Sequence, residues 1–438
     1  LDARQVNTGR FSLFFPETRN FFLQDAASYE FGGQVYRNTP NGLPFFTRRI
    51  GIVDGAPVDI VAGAKISGKA GAFNIGAISA RTGAQGALDG QTLSAIRVSR
   101  NVLAESKVGV IATHGDPQGE ATNTVYGADF QYRNSSLIGD GQTLVDVAYL
   151  RSEDDPDGPE GNRSGNFAGV RAAYVGDLWN TRLNFQHLGE DYAPRLGFAN
   201  RTGIRRYRAV GFRNWRVNGE RIRNIETGAY GIVVTDLDDR ALDRDYGIFG
   251  EIENNVGDGV EFEIGRAYEE ILEPFDIAGE LPVAAGRYRF NTYEFGLYTA
   301  EARPVSVGAF VFGGGSYNGR RIGVSGSIDF RPSRFFRLAA EYEFERFDLE
   351  TGALGIHIAT VNNTIAFKPD MTLKTDLQYD NISETFTVFS RFAWEPIPTR
   401  ELFVSLGHSA FIDRENFPQR YRAQASGAAI RLGYTFRL

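Results

Sequence analysis

The side chains able to do chemistry fall into three groups: a few His, clustered carboxylates, and charges that recur on one phase of alternating segments. The four His are His114, His187, His357 and His408, and there is no Cys. Lack of Cys removes disulfide frameworks, thiolate metal sites and Cys nucleophiles together. A Ser–His mechanism needs an imidazole aimed at its nucleophile. His408 and Ser409 are adjacent, so in a strand they point to opposite faces. His408 is in phase with Leu402, Val404, Leu406 and Ile412, which suits an interfacial residue better than a base. His114 and His187 lie beside Gly115-Asp116 and Gly189-Glu190, where rim or turn positions explain them. His357 is out of phase with Ile356 and Ile358 and is expected to face an interior. Two acidic runs, Glu153, Asp154, Asp155, Asp157 and Asp236, Asp238, Asp239, Asp243, offer the clustered oxygens that calcium takes. Neither has the EF-hand loop pattern, and both read as solvated or lipopolysaccharide-facing loops. No catalytic residue, metal or cofactor is assigned.

The phased charges are more informative. Arg206, Arg208 and Arg216 share one phase of a segment, and Arg431 and Arg437 share one phase of another. Arg337, Glu341, Glu343 and Glu345 alternate with Phe336, Leu338, Ala340, Tyr342 and Phe344. Lys374 and Asp376 alternate with Leu373 and Leu377. Two readings are open for these charges. They form a mutually neutralised interior that sets barrel shape, or a charged lining that selects solutes.

Such phasing requires strands. After residue 50 the pattern has period 2, with 21 segments of roughly 10–16 residues. They are 57–68, 71–82, 91–100, 104–115, 122–133, 142–152, 164–176, 179–188, 203–216, 221–236, 243–254, 258–271, 285–299, 304–317, 319–331, 335–347, 355–368, 371–382, 385–396, 401–413 and 427–438. Soluble strands average about 5–6 residues; a strand tilted across a bilayer needs about 9–11. Expected short turns are Lys69-Ala70, Pro332-Ser333 and Pro369-Asp370; expected long links are 153–162, 235–243 and 413–427. No repeat of propeller length is visible. In lipid every backbone amide must be paired, so an all-β solution must close. The expectation is a transmembrane antiparallel up-and-down β-barrel of about 20 strands (18–22) over residues 45–438. Bacterial single-chain barrels have an even number of strands, so either 45–53 is a further strand or one segment is a loop.

Composition agrees. The 438 residues hold 34 Phe, 19 Tyr and 3 Trp, with a net charge of −7. That balance argues against nucleic acid, which needs a basic face. The longest uncharged runs, Pro304–Gly319 and Thr351–Phe367, are too short and too broken for the roughly 20 apolar residues of a spanning helix. The sequence begins at Leu1 with no signal peptide, as expected of a processed product. At the other end Gly433, Tyr434, Phe436 and Leu438 resemble the C-terminal signal read by the outer-membrane barrel assembly machinery, with Leu in place of the usual Phe.

Residues 1–44 are different. Arg10, Phe14, Phe15, Pro16, Glu17, Arg19, Phe21 and Phe22 mix aromatics with charge and have no clean period. The segment is expected at the periplasmic rim or inside the barrel, with Arg10, Glu17 and Arg19 tying it to the wall. The run DARQVNTGRFSLFFPETRNFFLQ followed by LPFFTRRIGI resembles a family of bacterial outer-membrane barrels of unknown function. Ala62–Gly71, Ser94–Arg100, Tyr126–Phe130, and Leu196-Gly197-Phe198 with Arg201 extend the similarity over nearly the whole chain. Gln24 departs from it, where the family has Glu. In that family the barrel commonly follows a carbohydrate-binding-family-9-like domain, and full-length relatives carry hydrolase labels that would belong to the upstream part. The resemblance implies an outer-membrane location, in contact with lipid and lipopolysaccharide. About 20 strands would leave an aqueous interior, which points to a pore or transporter for small solutes, saccharides among them; the alternative is an anchor for an upstream glycan-binding module or partner proteins, with the lumen plugged. A hydrolase reading lacks convergent catalytic side chains.

Overall fold

The computed structural model describes residues 4–37, 40–53, 55–156, 161–217, 219–397, 400–412 and 421–434. A four-residue helix, Asn20–Leu23, and two 3-10 turns, Ala26–Tyr29 and Thr47–Arg49, precede the sheet. The strands are β1 Ile52–Val53, β2 Ala56–Pro57, β3 Ile60–Ala70, β4 Phe73–Thr82, β5 Thr92–Val102, β6 Ser106–His114, β7 Ala121–Ile138, β8 Gly141–Pro156, β9 Arg163–Val175, β10 Trp179–Leu188, β11 Ile204–Arg216, β12 Ile222–Asp236, β13 Ala241–Asn254, β14 Gly259–Ile271, β15 Phe275–Ile277, β16 Leu281–Val283, β17 Gly286–Tyr298, β18 Val305–Ser316, β19 Gly319–Ser333, β20 Phe336–Leu349, β21 Gly352–Lys368, β22 Met371–Asp380, β23 Thr385–Ile397, β24 Arg400–Ile412 and β25 Tyr421–Tyr434. The pairs β1–β2 and β15–β16 are small hairpins, and the remaining 21 strands close into a barrel in chain order.

The chain is a transmembrane antiparallel β-barrel of the bacterial outer-membrane type. Its strands present the expected apolar face: Val260, Phe262 and Ile264 of β14 and Val305, Val307 and Val311 of β18 are all exposed. A surface of this kind is stable only against lipid. Strands of 9 to 18 residues are long enough to cross a bilayer at a tilt. The count among the described residues is 21, within the expected range but odd. Residues 45–53 do not supply another barrel strand, because they hold a 3-10 turn and the short β1.

Several links differ from expectation. Within 235–243 only residues 237–240 lie between strands, as a tight turn in which the Asp236 carboxylate accepts from the backbone N–H of Asp238 and Arg240, at 3.0 and 2.9 Å. The turn at Lys69-Ala70 shifts to Gly71-Ala72, and Ser333 pairs with Phe336 across a register shift, so Pro332-Ser333 still belongs to a strand. The last strand starts at Tyr421 instead of residue 427. Asp157, Phe436, Arg437 and Leu438, singled out in the sequence, lie outside the described residues.

The chain divides into two compact units. One comprises Leu1–Arg10, Trp215–Thr227 and Gly247–Leu438. Its core gathers Ile277, Leu281 and Val283 of the small hairpin with Phe347, Leu349 and Ile356, and Val6 packs against them. The other comprises Phe11–Asn214 and Gly228–Tyr246. Here the N-terminal segment supplies Phe22, Tyr29, Phe31, Val35, Tyr36 and Ile50 to two clusters, which pack on Ile78, Leu93, Ala95, Ile111, Leu150 and Phe167. Fully burying one such side chain contributes about 1.5–3 kcal/mol, against about 0–1 for an exposed ion pair. Apolar burial therefore holds the segment more than its surface charges do.

Candidate functional site on the inner face

The face opposite the exposed apolar band is polar, charged and partly covered by the N-terminal segment. In the Phe11–Asn214 unit that segment is tied down at successive strands. Lys65 donates to the Phe21 and Gln24 carbonyls at 2.7 and 3.1 Å. Arg97 donates to the Glu30 carbonyl at 3.0 Å and forms a fully buried ion pair with Asp129 at 2.6 Å. Asp129 accepts from Gly32 N–H, and Asp146 accepts from Gln34 N–H while paired with Arg133 at 2.6 Å. Asn184 and Gln186 donate to the Val35 carbonyl.

The predicted motif residues are placed as follows. Both Glu17 oxygens accept from Arg19, which also donates to the Thr47 and Ile50 carbonyls at 2.8 and 2.6 Å. Phe14 stacks on Phe46 and meets Phe198 edge-on. The Arg48 guanidinium covers Phe15 and donates to the Pro16 carbonyl. Phe21 lies beneath Lys65, and Phe22 beneath Arg19. In the other unit Arg10 donates to the Glu270 carbonyl at 2.9 Å, and Arg4 pairs with Asp380.

The acidic runs are solvated only in part: Glu153, Asp155, Asp238 and Asp239 are exposed, but not every carboxylate is. Asp154 is buried and holds Arg195 at 2.6 Å, and Asp116 and Glu120 reach the same guanidinium at 3.1 and 3.3 Å. The Asp154 hydrogen bond, with these further charges, outweighs burial and holds Arg195 above the ordinary arginine pKa. Asp243 and Asp239 likewise pair with Arg201 and Arg205. Among the described residues no group of His and carboxylates is arranged to hold a metal. His357 does not face the interior. It shares the outward face with Tyr342, whose hydroxyl lies 2.7 Å from its Nδ1, and with Phe344.

The predicted charges divide by neighbourhood. Glu341, Glu343 and Asp376 line a cavity of 570 Å³ with Phe310, Ser325, Ser327, Thr360, Asn362, Gln378 and Arg4. Glu345 is buried against Arg321. Arg337 joins Arg331 on Asp329, at 2.5 and 2.8 Å. Lys374 is exposed opposite Arg391, and Arg391 and Arg431 lie over the Phe403 ring. Gly433 pairs with Glu401, and exposed Tyr434 lies under Arg400. Arg206 and Arg208 border a small recess with Arg37, Arg171 and Arg182, whereas Arg216 ends its strand and is exposed. Sequence reading missed Phe310, Asn362, Gln378, Arg171 and Arg182. The polar phase Asp376, Gln378, Asp380 carried a signal for one of these.

No family model matches the chain, and no curated protein matches it by sequence. Among solved structures, the ferric yersiniabactin uptake receptor FyuA from Yersinia pestis is similar at 11% identity and a TM-score of 0.49, with 86% of this chain and 77% of that chain covered. The copper transporter OprC is similar at 12% identity and 0.47, covering 80% and 73%. The ferric-catecholate import receptor Fiu from E. coli K12 is similar at 9% identity and 0.38, covering 88% and 76%.

Proposed function

We propose that this outer-membrane barrel admits small hydrophilic solutes, saccharides foremost, into a lumen narrowed by its own N-terminal segment. The 570 Å³ cavity carries the reading. Its volume is that of a small-molecule site. Three carboxylates and the Asn362 and Gln378 amides supply acceptors and donors for hydroxyl groups, and Phe310 supplies an apolar face. Charged metal ligands and catalytic pairs are not needed for this chemistry. Proteoliposomes loaded for swelling assays test it. The intact chain should admit glucose and maltose, and Asp376→Asn with Glu343→Gln should slow maltose more than glucose. Equal slowing of both, or no uptake by folded protein, contradicts the reading.

A second reading is supported by the depth at which Phe22, Phe31 and Val35 are buried. Under it the segment is a permanent filling and the barrel anchors an upstream glycan-binding module. Saccharide uptake separates the two.

A further inference from the structure

The recess bordered by Arg37, Arg171, Arg182, Arg206 and Arg208 has the composition of an anion site. The strand register builds it. Asn184 of β10 pairs with Arg171 of β9 on one side and with Arg208 of β11 on the other, so the three stand in one row. Gln186 and Arg206 occupy the next inward row on one side, and Arg182 and Val210 occupy that on the other. Arg182 is thus the diagonal neighbour of both Arg171 and Arg208, about 7–8 Å away by sheet geometry, and Arg206 lies two residues from Arg208 on the same strand. Like charges so close repel one another.

Around Arg171 the nearby acceptors are shared or neutral. Asp146, which pairs in register with Arg171, is the carboxylate on that side, and Arg133 holds it at 2.6 Å. Gln34, a neutral acceptor, takes hydrogen bonds from both Arg171 and Arg37. The Arg208 Nε is buried with no hydrogen-bond partner, which is costly for a donor of this strength. The cavity between these side chains is about 20 Å³, room for roughly one water-sized group. It fits the oxygen of a carboxylate or phosphoryl group better than a whole solute.

We propose that this arginine row is a binding subsite for a carboxylate or phosphoryl group on the solute. Arg208 supplies its unused Nε–H, and Arg171 and Arg206 supply flanking charge. Guanidinium forks match both anion types. The inference deepens the solute-admitting reading by naming a charged class of solute, and it rests on that reading for its biological meaning.

Calorimetric titration in detergent tests it without any pore. Citrate and pyrophosphate are titrated separately into the full chain, which distinguishes the two anion types. At least one should bind with an affinity that falls steeply with salt. Arg208→Gln should weaken that binding at least tenfold, and Arg206→Gln should do the same by a different local change. Heat-modifiable gel migration shows that each variant is folded. Arg216→Gln, outside the recess, should bind as the unaltered chain does. No binding of either anion to folded protein, or equal loss in Arg216→Gln, overturns the subsite. Saccharide uptake with no anion binding would leave the solute-admitting reading standing and the subsite refuted. Anion binding with no uptake would do the opposite.

Discussion

Glu17 spends both carboxylate oxygens on Arg19, and Arg19 in turn closes on the Thr47 and Ile50 carbonyls. Burial alone would raise the Glu17 pKa, but the Arg19 hydrogen bonds and charge outweigh it, so the group titrates below its ordinary 4.5. A carboxyl depressed in the folded state contributes stability above its unfolded value and loses it as pH falls through the folded one. The pair is partly exposed through Arg19, so its contribution is about 1 kcal/mol or less, a change of roughly fivefold in local opening. Hydrogen exchange across residues 16–24, corrected for intrinsic rates, should show protection falling on acidification below that range. Glu17→Gln should be less protected at neutral pH and lack the acid step; an unchanged step in Glu17→Gln would assign it to another group. The Arg97–Asp129 pair is a different case. It is fully buried, and removing one partner would strand a charge at a cost of about 3–5 kcal/mol. Asp129 and Arg97 were each legible within a motif, but their pairing was not. Pairing between β5 and β7 side chains over 32 positions depends on the sheet, which residue types alone do not specify.

At the scale of elements, the strands were legible because period-2 alternation persists for ten or more residues, as in 258–271, which is strand over Gly259–Ile271. The links were less legible. A polar run such as 235–243 resembles a loop, yet Asp236 caps a tight turn within it and Asp239 takes a left-handed conformation. The N-terminal segment had no period because its residues serve a wall instead of a strand. One of its bends is Gly32-Gly33, both at positive φ. There the backbone donates to Asp129 and Asp146, and a Cβ at Gly33 would meet Asp146 Oδ1 at 2.7 Å. Gly55 also has positive φ but nothing within 4 Å of its Cβ position, so Ala there faces only the left-handed strain of about 1–2 kcal/mol. Gly33→Ala should therefore loosen the segment so that trypsin cleaves after Arg37 much faster than in the unaltered chain, and Gly55→Ala should not. Equal resistance of the two variants would mean that the bend does not hold the segment.

Across the whole molecule, alternation specified a barrel and which charges share a face, but not which strands bring them together. Arg206 and Arg208 were legible as phased charges; Arg171 and Arg182 join them only because Asn184 stands in register between Arg171 and Arg208. Phe310 is similar. It reads as one more apolar residue in β18, yet it lines the polar cavity beside Glu341 and Asp376. The two features that bear on solutes, a cavity of hydrogen-bonding groups and a buried segment laid over the inner face, make opposite demands on passage. Single-channel recording in planar bilayers weighs them directly, using the intact chain and a form lacking residues 1–46. The account predicts a small, steady conductance from the intact chain and a larger one after the deletion. Silence from both forms, with folding confirmed by heat-modifiable migration, would contradict it.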